Sequence, residues 1–366
     1  VTLFQVQRHE RLMSELHQHG AVRVSELARD LGVSELTIRR DIAALAARNL
    51  VTRVHGGATL PLRLRPPGRP RSATAVTVGM VVPSLDFYWP PVVGGARAAA
   101  AALGVTVQLR GSTYDPDEDR RQIGRLVEAG EVRGLLLAPS LDGDDAMIDW
   151  IGRLPVPSVL VERQPRRWTS ASRQVEWVRS DHALGLEMAL HHLHESGHHH
   201  IGLVVSRGSP TSAYLLEAWQ TAGHPPLVLD EPVVLEDPAD RRAIRAFLSP
   251  VRERTNVLSS GPSAFIVHSD PHAMAVAQVC AEEGIRVPED LALISYDDEI
   301  AHLGEPPLTA VRPPKNHVGR VAVELIVSRL LDGDRRPARG ILVAPELVVR
   351  ESSFGSVRFR LSRFGS

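Results

Sequence analysis

Arginines and hydroxyls carry the chemistry that the first part of the chain could do. The run Ser34-Glu35-Leu36-Thr37-Ile38-Arg39-Arg40 sets two guanidinium groups and two hydroxyls within about two helical turns. If this run is helical, Leu36, Ile38, Ile42, Leu45 and Leu50 form the apolar set. Thr37, Arg39 and Arg40 are then left outside, and Ser34 is the candidate N-cap. Such a helix suits the major groove of DNA. Arginine reads guanine through two hydrogen bonds, and helix N-terminal amides favour phosphate. The following LVTRVHGGATL reads as two short strands around His55-Gly56-Gly57, a wing that would set Arg53 and His55 beside the DNA backbone. The candidate DNA-contacting residues are Ser34, Thr37, Arg39, Arg40, Arg53 and His55.

A second set lies at the ends of short apolar runs. SLDFYWPPVVGG follows the run VTVGMVV and places Asp86, Tyr88 and Trp89 where a strand gives way to a helix. Residues at the carboxyl ends of strands in an α/β sheet face the crevice where ligands bind. Aromatic faces stack on the apolar faces of sugars and other rings, while carboxylates and guanidinium groups pair with hydroxyls. The chain supplies Glu162-Arg163 after PSVLV, Asp270 after AFIVH and Asp297-Asp298 after LALISY. A polar residue ending one strand is usually a helix cap; the same pattern at four strand ends points to a pocket.

Other chemistries fit less well. His191, His192, His194, His198, His199 and His200 crowd one stretch, and His191 and His194 share a helix face, but no cysteine or carboxylate pattern completes a metal site. Asp297, Asp298 and Glu299 are consecutive, so their side chains diverge rather than converge on a cation or an acid–base pair. GxSxG, a Walker loop and GxGxxG are absent, and no nucleophile is paired with a base. No catalytic role, cofactor or metal is expected. The single cysteine, Cys280, rules out a disulfide framework and suits a cytoplasmic protein. The start, Val1 to Glu10, lacks the apolar core of a signal peptide, and no apolar run reaches membrane-spanning length.

These groups need elements to position them. Hydrophobic residues make up 43% and charged residues 23% of the 366, an ordinary globular composition with room for two or three units. Net charge is −1, but residues 1–72 hold twelve Arg, no Lys and six acidic residues, so they carry +6 and the remainder −7. A basic head on an acidic body is the footprint of a DNA-binding head. Residues 1–60 read as a winged helix-turn-helix: a first helix ending near Gly20, a second capped by Ser25, a tight turn at Gly32, then the Ser34 helix and the wing. Residues 61–75 are rich in Pro and Arg and read as a semi-rigid linker. Its Pro66-Pro67-Gly68-Arg69-Pro70-Arg71 is one residue from the Pro-Arg-Gly-Arg-Pro core of an AT-hook, so it is either a solvated spacer or a minor-groove contact. From 76 to 351, VTVGMVV, VTVQL, GLLLA, PSVLV, HIGLVV, AFIVH and LALISY alternate with helical stretches. That alternation means parallel sheets with helices on both faces, and the length calls for two lobes. The segment 352–366 has little to pack and is expected to be a disordered tail.

SELARDLGVSELTIRRDIAALAARNLVTRVHGGA resembles the DeoR-type helix-turn-helix over nearly its whole length, including TIRRD and RVHGGA. Residues 76–351 resemble the effector domain of the LacI/GalR family, which is akin to periplasmic sugar-binding proteins. VRSDHALGLEMALHHLHESGHHHIGLV, AFIVHSDPHAMAVAQVCAEEGIRVPEDLALISYDDE and PPLTAVRPPKNHVGRVAVELIV carry that likeness most specifically. The fold it implies is α/β: a small winged helix-turn-helix and a two-lobed, periplasmic-binding-protein-like domain. It also implies three chain crossings between lobes and a homodimer. By resemblance, Asp86, Tyr88 and Trp89 fall on first-lobe pocket positions, Arg163 on a pocket arginine, Asp270 on a second-lobe polar contact and Asp297 on a hydroxyl-binding aspartate. The expected partners are operator DNA and a small effector, of carbohydrate type, with no membrane. The expected function is a sequence-specific transcriptional regulator, of the repressor kind.

Two departures qualify the likeness. The family's arginine, three residues before a Gly-aromatic pair, is Leu215 here, ahead of Ala218-Trp219. Losing that donor implies a ligand that is larger, less polar or held by other groups. The usual LacI head and hinge helix are replaced by the DeoR-type head, so hinge folding does not transfer. A sugar-binding transport protein and a sugar-phosphate enzyme are the alternatives. The DNA-binding head and the absence of a signal peptide weigh against the first, and the lack of a catalytic set against the second.

Overall fold

A computed structural model describes residues 8, 9, 11, 12, 15, 16, 21–47, 51–54, 57–59, 76–85, 88–141, 146–167, 169–222, 226–256 and 261–353. The chain falls into a small unit holding Val1–Ala75 and a large unit holding Val76–Ala101 and Val105–Ser366.

In the small unit, the described residues between 8 and 16 are helical. Strand β1 (Ala21–Arg23), helix α1 (Val24–Asp30) and helix α2 (Glu35–Ala47) follow, then strands β2 (Thr52–Val54) and β3 (Gly57–Thr59). The three strands pair antiparallel in the order β1-β3-β2. Thus a third strand joins the expected hairpin. Gly32, at φ +62, makes the turn between the two helices, a conformation that costs glycine little. Leu12, Leu16, Leu27, Ile38, Ile42 and Leu45 form the core. Two sequence-based assignments change. Ser25 lies inside the first turn of α1, because the helix begins at Val24. Leu36 is 58% exposed and is not part of the apolar set. Leu50 and Gly20 lie outside the described residues.

The large unit has two sheets. The first has the order β15-β8-β7-β6-β4-β5, from β4 (Thr77–Val82), β5 (Thr106–Gly111), β6 (Val132–Leu137), β7 (Ser158–Val161), β8 (Glu176–Ser180) and β15 (Gly340–Val343). All its pairings are parallel. The second runs β10-β9-β12-β13-β14-β16, with β11 also on β9. Its strands are β9 (His200–Ser206), β10 (Val228–Leu229), β11 (Val233–Leu235), β12 (Ala264–His268), β13 (Ala292–Tyr296), β14 (Thr309–Arg312) and β16 (Glu346–Val348), and only β16 pairs antiparallel. Both faces of this sheet are buried. Leu203, Val205, Ile266 and Ile294 serve one core, while Val204, Phe265, Val267 and Leu293 serve the other. That period of two with both phases apolar is why its strands read as continuous hydrophobic runs.

Helices α3 (Trp89–Leu103), α4 (Pro116–Glu128), α5 (Ala146–Ile151) and α10 (Lys315–Asp332) accompany the first sheet; α6 (His182–Glu195), α7 (Pro210–Ala222), α8 (Arg241–Asn256) and α9 (Asp270–Glu282) accompany the second. The chain therefore crosses between lobes three times, from β8 to α6, from β14 to α10 and from β15 to β16. Helices α3 and α10 touch through glycines. A Cβ at Gly95 would lie 1.9 Å from the Asn316 carbonyl oxygen, and one at Gly319 would lie 1.9 Å from that of Val92. Buried Glu176 on β8 binds Arg336 through Nη1 (2.6 Å) and Nη2 (2.9 Å) and Arg329 of α10 through Nε (3.1 Å), which ties α10 to the first sheet.

The boundary at 352 shifts. Ser352 and Ser353 are fully buried in a short 3-10 turn, Glu351–Ser353. Ser352 Oγ donates to the Leu293 carbonyl (2.6 Å) and accepts from Thr309 N–H (2.8 Å). These hydroxyls finish the second sheet, and the expected tail beyond 353 lies outside the described residues, as does the linker 61–75. Among the described residues no helix is long and apolar enough to cross a membrane.

Candidate functional site

In the head, Ser34 Oγ accepts from the Thr37 N–H (3.2 Å) and lies 2.9 Å from Thr37 Oγ1, so it caps α2. Ile38 and Ile42 turn inward, leaving Arg39 and Arg40 exposed on the other side. Arg39 Nη2 donates to Glu35 Oε2 at 2.9 Å, one turn earlier. Asp41, the last residue of TIRRD, is almost fully buried; Arg8 donates to it through Nε (2.8 Å) and Nη2 (3.2 Å), and His9 Nε2 lies 3.1 Å from Oδ1. This anchor was not singled out in the sequence; its signal was an acidic residue inside the apolar phase of the helix. Arg53 lies on β2, with its side chain outside the described part; His55 lies outside the described residues altogether.

The large unit gathers its strand ends around a cavity of about 180 Å³. Tyr88, Trp89, Tyr114, Glu162 and Arg163 line it from the first lobe, and His182, Ser209, Thr211, His268, Ser269 and Asp297 from the second side. Tyr88, Trp89, Arg163 and Asp297 are thus brought together as expected; Asp86 lies outside the described residues. Trp89 donates from Nε1 to the Tyr114 hydroxyl (3.3 Å) and stands edge-on to Tyr88, with ring centroids 5.7 Å apart. Arg163 is held by the carbonyls of Pro139 (2.8 Å from Nε) and Glu162 (2.7 Å from Nη1) and lies 5.9 Å from the Trp89 ring centroid.

Asp270 departs from expectation. Its carboxylate accepts the N–H groups of Glu299 (2.6 Å), Ile300 (2.8 Å) and Ala301 (3.1 Å), as well as the Ser295 hydroxyl. As the first residue of α9 it turns toward the loop after β13, so it shapes the loop that carries Asp297 and does not line the cavity. Its neighbours His268 and Ser269 do. Leu215 is also not a pocket residue: it is fully buried beside Trp219 in the second-lobe core. An arginine's place there is taken by packing, and Thr211, one turn earlier, reaches the cavity instead.

The electrostatics are strongly set. Burial works against ionisation of Asp297, but His268 (Nε2 3.4 Å from Oδ2) and Lys315 outweigh it and hold the carboxyl below its usual range. Burial raises Glu162, whose carboxylate accepts Ser180 N–H (3.0 Å) and Oγ–H (2.8 Å). Burial, then the charge of Arg179, pushes His182 down to about 3, so its ring is neutral; Nδ1 lies 3.1 Å from the Tyr296 hydroxyl. Asp298 and Glu299 leave in other directions, to Arg312 and Arg350 and to Lys315 respectively.

Among the buried atoms on the cavity wall, Asp297 Oδ1 and Arg163 Nη2 make no hydrogen bond. Unsatisfied buried acceptors and donors are costly unless a ligand or water meets them. Backbone strain concentrates here too. The four described non-glycine residues at positive φ are Tyr114 (57), Glu162 (55), Asp297 (109) and Asp298 (51), and three of them line the cavity. Such strain collects at ligand sites because the surroundings fix it. A polyhydroxylated ring fits this arrangement: aromatic edges for its apolar face, Asp297 to accept from hydroxyls and Arg163 to donate.

The histidine-rich stretch takes separate partners: His192 with Ser353 (2.8 Å), His194 with His199 (3.2 Å), His198 with Ser263 (3.0 Å) and His200 with Asp230 (2.6 Å). Among the described residues no group of three metal-ligating side chains converges.

Residues 8–63 match the DeoR-like helix-turn-helix domain, and residues 190–353 match the periplasmic binding protein-like domain. The chain is 28% identical over 295 residues to the HTH-type transcriptional repressor PurR of Vibrio atlanticus, covering 76% of this chain and 81% of that one. It is 23% identical to the arabinose metabolism transcriptional repressor of Geobacillus stearothermophilus, covering 90% of both. Among solved structures, a complex of the transcriptional regulator CelR with cellobiose superposes with a TM-score of 0.62 at 26% identity, covering 87% of this chain and 90% of that one.

Proposed function

The chain is a transcriptional regulator with a DeoR-like helix-turn-helix and a periplasmic-binding-protein-like effector domain of the LacI type, and from that premise we propose that it is an operator-binding repressor whose affinity for DNA is set by a sugar-type effector in the interlobe cavity. The observation that carries this reading is the cavity wall, where aromatic rings, a buried ionised aspartate and a buried arginine each turn an unused face or atom inward.

In this reading α2 enters the major groove. Ser34 and Thr37 meet phosphate at its N-terminus, Arg39 and Arg40 reach bases or phosphates, and Arg53 and His55 of the wing touch the backbone. Exposed Leu36, on the same helix, suits contact with a thymine methyl. Tyr88, Trp89, Arg163 and Asp297, together with Asp86, hold the effector, and Asp270 acts through the loop it anchors. A homodimer supplies two heads for two half-sites. That the PurR and arabinose-metabolism relatives are named repressors, and that CelR was solved with cellobiose, supports both halves of the proposal.

Gel shifts on DNA upstream of the regulator's own coding region, with and without a panel of mono- and disaccharides, test it. The expected result is a shifted band that one sugar dissolves or strengthens. Absence of any specific band would sink the DNA-binding half; a band indifferent to every cavity ligand would sink the regulatory half.

A further inference from the structure

The cavity does not end at the residues described above. A second compartment of about 460 Å³ adjoins it, and the two share Tyr114, Arg163, Ser206, Ser209 and Pro210 as walls. The inner cavity alone is smaller than the roughly 300–1,000 Å³ typical of small-molecule sites; the two together fall within that range.

The chemistry changes from one compartment to the next. The inner walls carry two carboxylates, Glu162 and Asp297. The outer walls carry three arginines, Arg163, Arg166 and Arg207, and no carboxylate lines them among the described residues. Arg207 Nε pairs with Glu236 at 2.7 Å, but both side chains are well exposed, so solvent screens the pair. Arg163 is different. It is only 4% exposed, its Nε and Nη1 are satisfied by neutral carbonyls, and its Nη2 has no acceptor. Ser140, also on the outer wall, has a buried hydroxyl without a hydrogen bond. The N-terminus of the thirteen-residue helix α7, at Ser209-Pro210, forms the wall between the compartments and adds a positive dipole end.

A buried guanidinium with an unused donor, two further arginines, a free hydroxyl and a helix N-terminus make an oxyanion site. We infer that the outer compartment binds an anionic group, a phosphate ester or carboxylate, carried by the same effector whose neutral hydroxyl-bearing ring occupies the inner cavity. The inference rests on the reading of the cavity as the effector site. It accounts for the cavity managing without an arginine at Leu215: Arg163 stands on the boundary the two compartments share, and Arg166 and Arg207 line the outer one.

The test is thermal shift of the full chain with matched probes: hexoses and pentoses, their terminal phosphate esters, the uronates, cellobiose as a longer neutral sugar, and inorganic phosphate alone. A charged sugar is expected to act at a concentration about tenfold below that of its uncharged parent, the size expected for a hydrogen bond to a charged group. The double variant Arg166→Gln/Arg207→Gln is expected to erase that preference while leaving the response to the parent sugar unchanged. The phosphate and uronate arms separate the two anions. A neutral sugar or cellobiose that binds as well as every charged probe overturns the inference and leaves the effector reading standing, as does a preference that survives in the double variant. No response to any sugar or to phosphate overturns both.

Discussion

Asp297 and Arg163 define the cavity at the scale of single residues, because each holds a buried polar atom for which the protein itself offers no partner. Asp297→Asn keeps the shape and removes the charge. It should weaken effector binding by about tenfold, or roughly 1.4 kcal/mol, measured by calorimetry; unchanged affinity would take Asp297 out of the site. His182 makes a pH prediction. Its folded-state value is pushed down to about 3 from 6.5, chiefly by burial. Between those values the unfolded chain binds a proton that the folded chain refuses, so stability is complete above about pH 6.5 and falls as pH drops. From there to about pH 5 this one group should cost roughly 2 kcal/mol. Lowered His192 and His272 add losses of the same sign. Urea midpoints across this range should therefore fall with acid, and His182→Gln should flatten the slope without removing it. An identical slope in the variant would show that His182 does not carry it.

Elements place these residues, and here two contacts bear most of the weight. Asp41 fastens α2 to the helical residues Arg8 and His9, so the exposed face of α2 is oriented by a buried ion pair. Asp41→Asn should destabilise the head by about 3 kcal/mol and abolish DNA binding, while effector binding to the body is retained. Circular dichroism melts and gel shifts would check this. Gly319 lets α10 press against α3, whose first residue is Trp89. Gly319→Ala should cost about 1–3 kcal/mol by overpacking and weaken the effector response, because Trp89 moves with its helix. Much of this was legible in the sequence. All seven apolar runs became strands, since a sheet buried on both faces needs unbroken hydrophobic stretches. The strand ends pointed to Tyr88, Trp89, Arg163 and Asp297 by position alone. What escaped were short or half-exposed strands such as β15 and β16, whose pattern is weak, and anything decided by side-chain direction. Leu36 falls on the solvent side, Leu215 on the core side, and Asp270 turns its carboxylate to a neighbouring loop. His268, which reaches the cavity, stands at the end of AFIVH, two residues before the aspartate favoured for that role.

The whole molecule joins two parts of opposite charge, a +6 segment over residues 1–72 and a −7 remainder. On the proposed account the effector domain has two forms, and a ligand can move operator affinity only as far as it prefers one of them. Linkage then requires DNA to change effector affinity by the same factor. The direct measurement is operator affinity of the full chain, by fluorescence anisotropy at fixed salt, with and without a saturating cavity ligand found in the thermal-shift panel, for wild type and Asp297→Asn. The account predicts a change of about tenfold or more in wild type, with the variant requiring correspondingly more ligand to show it. Equal operator affinity with the cavity empty and filled would contradict it.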